Sequence, residues 1–154
     1  MSWFNFIGLI FVAVILIPNI IFAAKNKDGF QNFYHNKFVE IFEQIGRFGC
    51  FITMFLTPPF LNLGFKINGA KTAYIITGAV LVALYCLGWI IFGKENSIRK
   101  SLALSIIPSL LFIESGLLSL NFPLIILSLI FAPCHIIISY KNAKATEGKY
   151  EQTV

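Results

Sequence analysis

Residues 37 to 57 read K-F-V-E-I-F-E-Q-I-G-R-F-G-C-F-I-T-M-F-L-T, and the reading of this stretch decides the fold. As a helix it is long enough to cross a bilayer, since about 20 residues span the hydrocarbon core. Yet it carries Glu40, Glu43, Gln44 and Arg47. At about 100° per residue these four side chains share one arc with Cys50 and Met54. Phe38, Phe42, Phe48, Phe51, Ile52 and Phe55 take the other side. A spanning helix cannot turn such a stripe to lipid, so the stripe must face other helices or a wet cavity.

Around this stretch lie four further, more apolar runs, at about 3–24, 72–92, 101–120 and 124–140, separated by polar connectors. The chain of 154 residues is 57% hydrophobic and only 12% charged. A soluble domain has about 25% charged residues. The expectation is an all-α integral membrane protein, with five transmembrane helices in one compact bundle forming a single domain over 1–140. Residues 141–154 make a polar, mobile cytoplasmic tail. The first run lacks a basic leading segment, and a cut after Ala24 would place Phe22 where a small residue is wanted. It is therefore read as a retained span. The wealth of Phe, Ile, Asn and Lys is what an A/T-rich bacterial genome would encode.

Charge asymmetry chooses between four spans and five. With five, Lys25, Lys27, Lys37, Lys94, Arg99, Lys100, Lys141, Lys144 and Lys149 share one side, and only Lys66 and Lys71 fall on the other. A surface-lying 37–57 helix would spread them almost evenly. The lopsided arrangement agrees with the positive-inside rule and puts the N-terminus outside, the C-terminus in the cytoplasm and the chain in the cell membrane. The basic residues are dispersed between spans, so the net charge of +5 does not point to nucleic acid. The expected surroundings are the lipid bilayer and either further copies of the chain or a partner membrane protein.

This topology assigns depths. Asn19, Glu40, Glu43, Gln44 and His135 fall in the inner half, Arg47 near the middle and Glu114 in the outer half. A charge at the bilayer centre costs about 2.5–3.5 kcal/mol on insertion scales, so Arg47 should find an acid. Two are in reach: Glu43, in the favourable i,i+4 order, and Glu114 on another helix. A serine among Ser109, Ser115 and Ser119 is the other candidate partner for Glu114. His135 is expected to bond a backbone carbonyl freed by Pro133 or Pro18. Cys50, Cys86 and Cys134 lie far apart without a C-x-x-C pair, which favours packing over redox chemistry.

Seven residues are thus candidates for a ligand or ion site: Glu43, Arg47, Glu114, Gln44, Glu40, Asn19 and His135. Glu40-x-x-Glu43 lacks the x-x-His of a di-iron carboxylate helix. One histidine within a span also argues against a metal, so neither metal nor cofactor is expected. No nucleophile elbow, phosphate loop or zinc-protease motif occurs. Three functions follow in descending order. The first is binding or conducting a small ligand or ion at a polar intramembrane site. The second is a structural or accessory subunit acting through helix–helix contacts, for which Gly46, Gly49 and Cys50 offer a small-residue flank. The third is an enzyme acting on a lipid substrate, with Glu43 or His135 as acid/base.

Overall fold

The computed structural model describes residues 3–25, 33–93 and 97–151, with side chains as far as 147. Among these residues the chain forms α1 (Phe6–Lys25), α2 (Lys37–Phe55), α3 (Ala70–Ile91), α4 (Ile98–Ser119) and α5 (Phe122–Glu151). α1, α3, α4 and α5 are each long and apolar enough to cross a membrane. The chain is a helical membrane bundle. α2, of 19 residues, carries the charged stripe and does not reach that standard of composition.

Helix starts follow local chemistry. The side chains of Asn36 and Ser97 accept the N–H groups of Val39 and Lys100, capping α2 and α4. Asn121 does the same for α5, its Oδ1 accepting the Leu124 N–H at 3.2 Å. α4 ends where Leu120 turns left-handed, at φ 48°. Only Leu120 and Asn121 separate α4 from α5, which forces the two helices antiparallel.

The helices close into a ring. α1 packs on α3, α3 on α4, α4 on α5, α5 on α2 and α2 back on α1, while α2 and α4 also touch across the interior. The core is Phe11, Val12 and Ile15 from α1, Cys50 and Met54 from α2, Tyr74, Val82 and Tyr85 from α3, Leu111 and Phe112 from α4, and Leu124 and Phe131 from α5. Glycine sets the closest approaches. A Cβ on Gly46 would lie 2.8 Å from Phe131 Cβ and 2.9 Å from its Cα, so α2 and α5 meet almost backbone to backbone. At Gly8 a Cβ would lie 2.1 Å from the Met54 carbonyl oxygen, which seats α1 against the end of α2.

Hydrogen bonds tie the two ends of the ring. At the end where the chain begins, Asn5 N–H donates to Phe55 O (2.8 Å) and Thr57 N–H to Trp3 O (3.0 Å). Asn121 Nδ2 reaches Thr53 O there at 2.8 Å. At the opposite end, Phe33 and Tyr34 N–H both donate to Asn142 Oδ1 at 2.9 Å. Ile98 N–H donates to Glu147 Oε1 at the same distance. α2 therefore starts beside α5 at one end of the bundle and finishes beside the α4–α5 turn at the other. Nineteen residues at 1.5 Å rise cover about 28 Å, close to a hydrocarbon thickness of about 30 Å.

Asn121 caps α5 and holds α2, so Asn121→Ala loses a cap and a buried bond together. The expected loss is about 1–2 kcal/mol, read as a lower unfolding temperature in detergent. Wild-type stability in that variant would show that the turn does not clamp α2.

Beyond Tyr140, where a mobile tail was expected, α5 continues to Glu151. Asn142 and Glu147 anchor these turns to the segments preceding α2 and α4, and Ala143 is buried. Residues 152–154 lie outside the described residues, as do Lys27, Lys94 and the side chain of Lys149. Lys25, Lys37, Arg99, Lys100, Lys141 and Lys144 all sit toward the end defined by Asn142 and Glu147, hereafter the basic end.

Candidate functional site

The buried face of α2 is Glu43, Gly46, Cys50 and Met54. It is turned away from the centre of the polar stripe because α5 needs the glycine side for its close approach. The stripe is thereby split. Glu43 points into the bundle, Glu40 and Arg47 stand at its boundary, and Gln44 is exposed among Ile41, Ile45 and Phe48.

Glu43 is the centre of the site. Its side chain is 2% exposed, and Oε1 accepts Arg47 Nε at 2.9 Å, with a second, closer contact from Arg47 Nη2. The same oxygen lies 2.9 Å from His135 Nδ1 on α5. An ionised carboxylate only accepts, so Nδ1 carries the proton of that bond and Nε2 is left for another partner. Phe131 stacks on the imidazole with ring centroids 4.6 Å apart and planes 19° from parallel. The backbone of Phe131 rests against Gly46. The close α2–α5 contact thus positions His135 as well.

This arrangement replaces the carbonyl bond expected for His135 and answers the question of Arg47. A buried carboxylate costs several kcal/mol unless an opposite charge and hydrogen bonds compensate it. Arg47 supplies both from one turn away. Glu114 does not meet Arg47: its Oε1 contacts the Thr77 hydroxyl on α3. Nor does it bond the nearby serines: Ser109 and Ser119 donate back to Ser105 O (2.7 Å) and Ser115 O (2.6 Å), and the Ser115 hydroxyl is buried without a hydrogen-bond partner among the described residues.

Asn19 takes a third position. Its Nδ2 donates to Ile15 O and to the Tyr85 hydroxyl, both at 2.8 Å, linking α1 to α3. Of the seven candidates, the structure joins Glu43, Arg47 and His135 directly. It sets Asn19 apart on Tyr85, Glu114 on Thr77, Glu40 half-buried in the first turn of α2, and Gln44 on the outer face.

Tyr85 and Thr77 were absent from the sequence reading, and Lys100 entered it only as one of the basic residues between spans. The Lys100 ammonium lies over the rings of Phe22 (5.3 Å) and Trp89 (5.4 Å), a cation–π cage at the basic end. Tyr74, near the start of α3, is core, 1% exposed, with its hydroxyl accepting Asn5 Nδ2 at 3.0 Å. The polar ends of tyrosines inside an apolar run were the available signal. A cavity of about 520 Å³ opens at the other end, between Asn5, Thr57, Asn62, Lys66, Lys71 and Ser119, and includes none of the seven. Among the described residues no three His, Cys, Asp or Glu side chains converge as a metal site would require.

Comparison with protein-family models, with curated proteins and with solved structures gives no match.

Proposed function

We propose that the chain is a five-span protein of the cell membrane, with its basic end in the cytoplasm, that binds a small ligand at the Glu43–Arg47–His135 cluster. The end-to-end course of α2 supports the fifth span, and the gathering of Lys25, Lys37, Arg99, Lys100, Lys141 and Lys144 supports the orientation. One observation carries the binding reading. Glu43 is buried with its charge already answered, while Arg47 is 36% exposed and has donors to spare. A guanidinium has five N–H donors, and two of them serve Glu43. The cluster therefore favours an anion or a carboxylate-bearing molecule over a cation, which would find no uncommitted charge on Glu43.

The test is thermal unfolding of the purified protein in detergent against chloride, phosphate, acetate and succinate. A ligand that binds only the folded state stabilises by about 2.7 kcal/mol at a hundredfold excess over its dissociation constant. The expected result is a saturable upward shift with at least one anion in wild type, absent in Arg47→Met. Equal shifts in both proteins, or none in either, would remove the reading.

The accessory-subunit alternative keeps one observation in its favour, the Gln44 amide on the exposed apolar face of α2. Its small-residue flank is no longer available, because Gly46 and Gly49 are used by α5 within the chain.

A further inference from the structure

Away from that cluster, one acid is left with an incomplete set of partners. Glu114 projects from α4 toward α3, where its Oε1 contacts Thr77 Oγ1. Thr77 Oγ1 also lies 2.6 Å from the Ala73 carbonyl oxygen, the back-bond that a helical threonine commonly makes. A hydroxyl has a single proton. Given to Ala73 O, it leaves the Thr77 oxygen able only to accept, and the proton shared with Glu114 must then belong to the carboxyl. The second carboxyl oxygen, Oε2, is buried and has no hydrogen-bond partner. For an ionised group that is a charge-bearing oxygen without a donor; for the acid it is a neutral carbonyl.

Among the described residues Glu114 makes no ion pair, and Arg47 is paired with Glu43. The elements packed around it offer little else that titrates. α3 carries Lys71, Tyr74, Tyr85 and Cys86, of which Tyr74 lies one turn from Thr77 with its hydroxyl on Asn5, and α2, which touches α4, carries Glu43, Arg47 and Cys50. α5 has no titratable side chain from Phe122 to Ala132, and α1 has none from Phe6 to Ile17. α4 itself has none other than Glu114 between Ser101 and Leu120.

We propose that Glu114 and Thr77 form a proton-binding site on the α3–α4 seam, in which Glu114 is held as the neutral acid and donates to Thr77. Its ligand is the proton itself. Loss of that proton would leave a carboxylate facing an occupied hydroxyl and an empty second oxygen, so the α3–α4 seam must then loosen or admit a cation. The site is independent of the anion reading at Arg47.

The protein in lipid nanodiscs, measured by infrared spectroscopy near neutral pH, tests this directly, because a protonated carboxyl has a C=O band that a carboxylate lacks. Glu114→Gln keeps a neutral donor toward Thr77 and should fold as wild type does. The expected result is a carboxylic-acid band in wild type that is missing in Glu114→Gln and shifted in frequency in Thr77→Val. Dicyclohexylcarbodiimide, which attacks protonated carboxyls in apolar surroundings, should label Glu114 in preference to Glu43. A band unchanged by Glu114→Gln, or no band together with no adduct at Glu114, would overturn the proposal.

Discussion

Glu43→Ala is expected to cost about 3–5 kcal/mol. Three things fail together. Arg47 is left near mid-helix without its counter-charge, His135 loses the acceptor for Nδ1, and a buried space opens between α2 and α5. Thermal unfolding in detergent reads the loss. The double substitution Glu43→Met with Arg47→Met should recover much of it, because removing both charges also removes their desolvation cost. Arg47→Met alone should be destabilising too, since it leaves a carboxylate 2% exposed with only an imidazole to answer it. If Glu43→Ala unfolds at the wild-type temperature, the cluster is not an internal ion pair and the site as described does not exist.

Gly46→Leu is expected to do smaller damage by a different route. Even a Cβ there would sit within 3.0 Å of three atoms of Phe131, two of them backbone, so the neighbour cannot swing aside as a flexible side chain would. Overpacking of this kind costs about 1–3 kcal/mol. The functional consequence is more specific than the stability loss. Phe131 stacks on His135, and moving α5 outward takes the imidazole from Glu43. Protein that still folds should show a weakened anion response, whereas Phe48→Leu on the exposed face of the same helix should leave stability and response unchanged. An unaltered anion shift in Gly46→Leu would separate the response from the α2–α5 contact.

The sequence made parts of this legible and hid others for identifiable reasons. Runs of apolar residues located the helices to within a few residues, apart from the far end of α5, because hydropathy is a local property. The Glu43–Arg47 pair was also legible, being separated by one helical turn. The His135 contact was not, since it depends on how α5 rotates against α2. That rotation is set by Gly46 and Gly49, whose close approach draws α5 off the centre of the polar stripe and leaves Gln44 outside. The partner of Glu114 was missed because Thr77 lies in a run that reads as uniformly apolar. The helical course of residues 141–151 was missed because composition suggested solvent, while Asn142 and Glu147 bond the backbone just before α2 and at the start of α4.

The central claim is that α2 crosses the membrane and carries Glu43 and Arg47 into it. Single cysteines at Lys37 and Phe60, both exposed and beyond opposite ends of the buried part of α2, test it directly in a background with Cys50, Cys86 and Cys134 replaced by alanine. The measurement is labelling by a membrane-impermeant maleimide in right-side-out and inside-out vesicles. The account predicts Lys37→Cys labelled only from the cytoplasmic side and Phe60→Cys only from the outside. Labelling of both from one side would mean that α2 lies along the surface, and the polar intramembrane site would fall with it.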